Sequence, residues 1–162
     1  MSYDVRSVAN FILDEADLRQ VPVTNLSLNK IAYFFHAEHL ASEGIGLVSA
    51  KIEAWKYGPV YREIYNQFKT NQNLPIKNRA KSINKKLGIL EVCPLDFEEH
   101  TWNKLKQWSD IYLKLSPFQL VELSHIPNGA WDQVYHHTGK SNPGMHISNE
   151  IIVSTFRRQS RH

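Results

Sequence analysis

Two histidines in one predicted helix, His36 and His39, are the residues best placed by their spacing to hold a metal ion. Side chains three positions apart lie on the same helix face, and two imidazoles there can share a metal. The pair lacks the order of the HExxH motif of zinc hydrolases, and no third ligand is evident nearby. We therefore interpret both as packed or surface histidines, and we expect neither a metal ion nor any other cofactor.

Three other groups have residue types suited to catalysis. Ser124 and His125 are adjacent, so their side chains should diverge on a helix and not form a nucleophile–base pair. Cys93 follows an apolar run, which favours a buried structural thiol. Residues 139–141 read Gly-Lys-Ser, like the end of a phosphate-binding loop, but the upstream glycine and a preceding apolar strand are missing. The sequence therefore predicts that the protein is not an enzyme.

The composition is typical of a globular protein without a membrane segment. The chain has 162 residues, and we expect a single domain over residues 1–162. No apolar run approaches the ~20 residues needed to span a bilayer, and residues 1–10 do not resemble a signal peptide. A single cysteine cannot form an internal disulfide. The sequence predicts a soluble, cytoplasmic protein with no membrane partner, and its net charge of +3 permits contact with nucleic acid without requiring it.

Apolar residues at helical spacing, bounded by capping residues, must build the scaffold that positions these groups. They predict a mainly α fold, a compact bundle of about seven helices. Asp4 or Ser2 is the expected cap of the first helix, and Ser116 followed by Pro117 is typical of a later helix start. A small β-hairpin is expected around residues 76–92, where an apolar run reads as a strand.

The second predicted helix, Leu28–Ser42, has Ser27 as its expected cap. Its apolar residues form an unusually wide stripe, which predicts that this helix lies near the centre of the fold. Gly44-Ile45-Gly46 ends it, and one of the two glycines is expected to supply the left-handed cap.

The pair Gly58-Pro59 is the clearest local signal in the chain. Proline suits the first position of a helix, because its missing N–H would be unpaired there. We therefore expect a helix from this point to about Lys69, with Tyr61, Ile64, Tyr65 and Phe68 on one face. The preceding segment, Leu47–Tyr57, is extended or helical.

The sequence around these two segments carries a recognisable pattern. It combines residues of the second helix, the Trp-Lys-Tyr-Gly-Pro-Val-Tyr string and a later Leu-Ser-His followed by a tryptophan. The motif residues are Leu28, Lys30, Ile31, Tyr33, Ala54, Trp55, Gly58, Pro59, Val60, Ser124, His125 and Trp131. This pattern resembles the Panacea domain family, which contains SocA-like antitoxins and phage-associated GepA-like proteins. The resemblance covers nearly the whole chain, except Lys77–Glu91.

The resemblance implies an antitoxin of a bacterial or prophage toxin–antitoxin pair, which neutralises its cognate toxin by direct protein–protein binding. One alternative is a SocA-like adaptor that delivers the toxin to the ClpXP protease. An alternative of another class is a DNA-binding regulator of its own operon. None of these roles requires chemistry inside the domain.

Two groups of residues are candidate contacts. Rigid aromatics at a turn make good interface anchors, so the predicted partner-binding residues are Tyr57, Pro59, Tyr61, Arg62 and Tyr65. The alternative, which we favour for the motif as a whole, is that its aromatics form the core and Gly58-Pro59 shapes the turn.

A basic run is a candidate patch for nucleic acid or an acidic partner, and it consists of Lys77, Arg79, Lys81, Lys85 and Lys86. No aromatic residues interleave with it, which favours a solvated loop.

Overall fold

The computed structural model describes residues 2–137 and 143–159. These residues form seven α-helices, one three-stranded antiparallel sheet and one separate two-stranded hairpin. The elements in chain order are α1 (Val5–Leu18), α2 (Asn25–Glu43), β1 (Ile52–Trp55), β2 (Gly58–Tyr61), α3 (Arg62–Phe68), β3 (Lys81–Asn84), β4 (Ile89–Val92), α4 (Glu99–Tyr112), α5 (Pro117–Ser124), α6 (Ala130–Tyr135), β5 (His146–Ile147) and α7 (Asn149–Gln159). The predicted mainly α fold is confirmed at this level, although the three-stranded sheet was not predicted.

Helix α2 lies at the centre of the described structure, as its wide apolar stripe predicted. Strand β2 and helices α1, α3, α4, α5 and α7 all pack against it. Its apolar side chains are almost completely buried on every side of the helix, including Leu28, Phe35 and Leu40. None of the helices in residues 2–137 and 143–159 is long and apolar enough to cross a membrane.

The boundaries of α2 differ slightly from the prediction. The helix begins at Asn25, and the Thr24 hydroxyl caps it by accepting a hydrogen bond from the Ser27 N–H. Ser27 is therefore a residue of the first turn and not the cap. The left-handed cap predicted from the two glycines is Gly44, which ends the helix with a φ of 77°.

The predicted helix start at Pro59 is wrong, because Gly58–Tyr61 forms strand β2 and the helix begins at Arg62. The sheet order is β2-β1-β5, so β2 is an edge strand. Trp55 pairs with Gly58 across a two-residue turn, and Pro59 pairs with Ala54 next to them. In an antiparallel ladder, every second residue of an edge strand points its N–H away from the partner strand. Proline has no N–H, so it is tolerated at such a position.

Two other predictions from local signals are confirmed. Asp4 caps α1 by accepting a hydrogen bond from the Arg6 N–H. Ser116 and Gln119 form a reciprocal capping box at the start of α5, with Pro117 in the first turn. The hairpin expected within residues 76–92 is present as β3 and β4, joined by the turn Lys85–Gly88.

Candidate partner-binding surface

The turn between β1 and β2 consists of Lys56 and Tyr57, and it is closed by the pair Trp55 and Gly58. Gly58 has a φ of 125°, a conformation that residues with a Cβ rarely adopt. A Cβ at this position would lie 3.0 Å from Lys30 Cε and 3.3 Å from Ser124 Oγ. Glycine is therefore required here both by the backbone conformation and by the close approach of two motif side chains.

A buried carboxylate, that of Glu53, holds the side chains on either side of this turn. Its Oε1 accepts a hydrogen bond of 2.9 Å from Trp55 Nε1, and its Oε2 accepts one from Arg62 Nε. Burial alone would raise the pKa of Glu53, but the hydrogen bonds from Arg62 and Trp55 outweigh it and lower the pKa. The Arg62 guanidinium also lies 5.9 Å from the centre of the Trp55 ring. These contacts restrict the rotamers of both side chains before any partner binds.

An open groove lies beside this turn, and we call it the aromatic groove. Its volume is about 370 Å³. The Trp55 and Tyr65 rings meet edge to face, with centroids 4.8 Å apart, and Tyr57 is 58% exposed. The groove is lined by Asn25, Leu26, Trp55, Lys56, Tyr57, Val60, Tyr65, Lys69, Gln72 and Asn73. It therefore combines large aromatic surface with two lysines at its edge.

The structure brings together only some of the predicted contact residues. Tyr57 and Arg62 are exposed, and Tyr65 is half-buried in the wall of the groove. Pro59 and Tyr61 are buried, and Tyr61 has no exposed surface at all. Their assignment as contact residues is therefore corrected, because side chains buried in this way cannot reach a partner.

Three lining residues with aromatic or charged side chains were not among the predicted contacts. Trp55 was assigned to the scaffold only, although it is half-buried and lines the groove. Lys56 and Lys69 line the groove without belonging to any motif. The sequence carried a signal for Lys56, which is one of the two residues between the strands, but none for Lys69.

The other motif residues belong mainly to the scaffold. Side chains buried in the core are those of Leu28, Ile31, Tyr33, Ala54, Val60 and Trp131. Trp131 also connects α6 to β1, because its Nε1 donates a hydrogen bond of 2.7 Å to the Trp55 carbonyl. This bond fixes the backbone where β1 enters the turn.

Lys30 is a buried cation in the central helix, with 3% of its surface exposed. No hydrogen bond or ion pair joins its ammonium group to another residue of the described chain. Burial lowers the pKa of Lys30 from 10.5 to about 8. The side chain packs beside Gly58, so this destabilised charge lies directly beneath the β1–β2 turn.

Ser124 and His125 do not diverge as predicted. Ser124 Oγ lies 2.9 Å from His125 Nδ1, because His125 follows the last helical residue and its backbone leaves the helical conformation. Both side chains converge on the Val121 carbonyl oxygen, at 3.0 Å from Ser124 Oγ and 2.7 Å from His125 Nδ1. A carbonyl oxygen can only accept a hydrogen bond, so His125 Nδ1 must carry a proton to bond to it. A protonated Nδ1 cannot act as the base for Ser124.

The remaining candidates for chemistry have structural contacts. His36 Nδ1 accepts a hydrogen bond from the Val48 N–H, and His36 Nε2 lies 2.9 Å from Asn149 Oδ1. His39 Nδ1 lies 2.7 Å from the Ile45 carbonyl oxygen. The described residues contain no group of three or more side chains that could hold a metal ion.

Cys93 is buried, as predicted, and burial raises the pKa of its thiol. Residues 139–141 lie outside the described structure.

The basic run contains four exposed lysines and one neutralised arginine. Lys77, Lys81, Lys85 and Lys86 are exposed. Arg79 instead forms ion pairs with Asp14 and Asp17 of helix α1. Its assignment to the patch is therefore corrected, because a guanidinium already paired with two carboxylates presents little positive charge to a partner.

Comparison with known proteins identifies the family. A family model described as antitoxin SocA-like, Panacea domain, matches residues 28–132. This chain belongs to the Panacea domain family. The match begins in α2 and ends in α6, so it contains the turn, the aromatic groove and the β3–β4 hairpin. The family resemblance predicted from the motif residues is thereby confirmed, and so is the antitoxin function that the family implies.

A curated relative agrees with this assignment. The Panacea domain protein is 36% identical over 161 residues to antitoxin SocA of Caulobacter vibrioides. The similar region covers 98% of this chain and 85% of the relative. No solved structure matches the chain significantly.

Proposed function

We propose that this Panacea domain protein neutralises a cognate toxin by direct, stoichiometric binding, and that it has no catalytic activity of its own. Family membership supports the antitoxin role. The side chains with catalytic potential are engaged in structural contacts: His36, His39 and His125 hydrogen-bond to fixed neighbours, and the Cys93 thiol is buried. The function therefore depends on the outer surface of the domain.

The aromatic groove is the observation that carries this proposal. Interface hot spots are enriched in Trp, Tyr and Arg, and they occur where such side chains are already held in place. Trp55, Tyr57 and Arg62 form such a group, and Glu53 fixes two of the three. Lys56 and Lys69 at the edge favour an apolar segment of the toxin flanked by acidic residues.

Co-expression tests the function directly. The product of the gene adjacent to this one, expressed alone, is expected to stop growth of the host, and co-expression of this protein should restore growth. The His125→Ala variant should rescue equally well, because the histidine has no catalytic task. Turnover of a small molecule by the purified protein, abolished by a single His or Ser substitution, would contradict the proposal.

Host genetics and DNA binding distinguish the other two functions. If rescue requires ClpXP in the host, the protein is an adaptor and direct neutralisation is wrong. A regulator of its own operon would shift its promoter DNA without toxin, with an affinity that falls steeply between low and moderate salt. For direct neutralisation we expect rescue in a ClpXP-deficient host and no such shift.

Replacing Tyr57 by alanine is expected to weaken toxin binding by about 2 kcal/mol, or roughly 30-fold in Kd, because it removes an exposed aromatic anchor. The free energy of unfolding should change little, since the side chain is mostly in solvent. Titration calorimetry with toxin made by cell-free synthesis measures Kd. Phe118→Ala is the matched control, because Phe118 is 69% exposed and does not line the groove. Equal affinities of the two variants would exclude Tyr57 as an anchor.

A further inference from the structure

The β3–β4 hairpin presents an apolar face that no described residue covers. Cross-strand pairs place Ile83 opposite Leu90 and Lys81 opposite Val92, so these four side chains share one face. The three apolar side chains are largely exposed, Ile83 to 67%, Leu90 to 64% and Val92 to 50%. We call these four residues the hairpin face. Clusters of exposed aliphatic side chains on so small a sheet are typical of interaction sites.

The outer edge of β4 is also unpaired among the described residues, since the hairpin sheet contains only two strands. The Cys93 N–H donates to the Ala80 carbonyl, which makes that pair a hydrogen-bonded one. The alternation of an antiparallel ladder then directs the N–H and C=O groups of Leu90 and Val92 outward. The edge of β3 is different, because Gln67 and Arg6 occupy the backbone groups of Lys81.

The base of the hairpin is firmly attached to α1. Buried Asn10 donates hydrogen bonds to the Ala80 and Cys93 carbonyls, at 3.0 and 3.2 Å, and accepts one of 2.7 Å from the Ala80 N–H. On the opposite face of the hairpin, Cys93 Sγ donates to Ser82 Oγ. The strands are therefore held in an extended form before a partner arrives, which lowers the entropy cost of adding a strand.

Charge indicates the kind of strand that fits. Lys81 is the one charged residue of the hairpin face, and Lys85 and Lys86 lie in the turn beside it. The acidic residue of the two strands, Glu91, points to the opposite face and accepts a hydrogen bond from Asn84. The surroundings of the apolar side chains are thus positive, which favours acidic residues on the partner.

We infer that the toxin adds a β-strand to the free edge of β4, with apolar side chains over the hairpin face and acidic residues near the lysines. This inference rests on the proposed function and names a second contact for the same partner. Backbone hydrogen bonds of such an added strand supply affinity, and the alternate side chains supply specificity. Aliphatic side chains do not stack on bases, so the face does not suit DNA. A second copy stacked on this face would bring its lysines against the same lysines.

Two variants test the two parts of the contact. The double substitution Ile83→Thr with Leu90→Thr introduces residues that favour a strand but removes apolar surface from the hairpin face. The Val92→Pro substitution removes an outward N–H and leaves the bonds between β3 and β4 intact. Both should weaken binding of cell-free toxin, the product of the adjacent gene, by about 10-fold or more. Leu74→Thr, at a leucine that is 67% exposed outside the hairpin, is the control and should not.

The outcomes separate this inference from the proposed function. If the unsubstituted protein fails to bind the toxin, the proposed function fails. If it binds and both hairpin variants bind as tightly as Leu74→Thr, the inference is overturned and the proposed function stands. Self-association of the purified protein that both variants abolish would assign the face to a second copy and overturn the inference. Promoter DNA binding that Lys85→Glu abolishes, with toxin binding unchanged, would also overturn it. Far-ultraviolet circular dichroism and thermal unfolding verify that each variant folds.

Discussion

Replacing Asn29 by alanine is expected to lower the free energy of unfolding by about 3 kcal/mol, because it leaves a buried backbone donor without a partner. Asn29 is fully buried in α2, and its Oδ1 accepts a hydrogen bond of 2.8 Å from the Tyr61 N–H. Its Nδ2 donates to the carbonyl and the side chain of Asn25, and Asn25 in turn donates to the Tyr65 carbonyl. The two asparagines thus hold both ends of the first turn of α3.

Urea unfolding of Asn29→Ala measures this effect, with Asn103→Ala as the control. Asn103 also lies within an α-helix but is exposed, so its replacement changes helix propensity alone. Toxin affinity should fall as well, since α3 carries Tyr65 of the aromatic groove and Arg62, which packs beside Trp55. A loss of stability within about 0.5 kcal/mol of the control would mean that the Tyr61 N–H finds another acceptor.

Replacing Lys30 by methionine is expected to have the opposite effect and to raise the free energy of unfolding at pH 7 by up to about 3 kcal/mol. Methionine has a similar length and shape but brings no charge into the core. The magnitude follows from the pKa of Lys30, which burial lowers from 10.5 to about 8. At pH 7 the native state therefore holds a proton that is bound far more weakly than in the unfolded chain.

This advantage of the methionine variant should shrink as the pH rises. Between pH 8 and 10.5 the unfolded chain keeps the proton that the native Lys30 has released. Stability of the unsubstituted protein then increases with pH in this window, because the unfolded state binds more protons. The stability difference between the two proteins should fall by about 2 kcal/mol from pH 7 to pH 10.

Denaturant unfolding of both proteins at pH 7 and pH 10 checks this prediction. Other groups titrate equally in the two proteins, so the change in their difference isolates Lys30. Lys114→Met is the control, because Lys114 is exposed and its substitution should add little at either pH. A Lys30→Met variant that is less stable at pH 7, with no change in the difference at pH 10, would show that the ammonium group has a stabilising partner.

The sequence correctly predicted the helix ends that depend only on neighbouring residues. Asp4 and Ser116 supply hydrogen bonds within their own helices, and Gly44 supplies its own left-handed conformation, so their roles can be inferred from a few neighbouring residues. Pro59 misled the prediction because two structural contexts tolerate a missing N–H, the first turn of a helix and the outward position of an edge strand. The choice between them depends on contacts outside the segment, since β2 pairs with β1 and packs against α2, where Asn29 accepts a hydrogen bond from the Tyr61 N–H.

The polar contacts that hold the candidate site were not predictable for the same reason. Asn10 and Asn29 are buried asparagines whose partners lie 70 and 32 positions away, and nothing in their immediate sequence signals this. The aromatic groove was found only in part, since the motif gave the residue types and the pairing of β1 with β2 decided which of them face solvent. The hairpin face was not predicted, because a run of lysines is typical of a solvated loop and the aliphatic residues are typical of any strand.

The position of β5 and α7 has a consequence for synthesis of the protein on the ribosome. Residues 146–159 emerge after all the other described elements, yet Ile147 pairs with Ile52 in β1, Asn149 contacts His36, and α7 packs on α2. A nascent chain that already contains the whole matched region still has an open strand edge and an uncovered central helix. A stop codon after residue 145 would therefore yield a chain with every motif residue but with an exposed apolar core, a ready substrate for chaperones and proteases. This fold can therefore be completed only after residues 146–159 have left the ribosome.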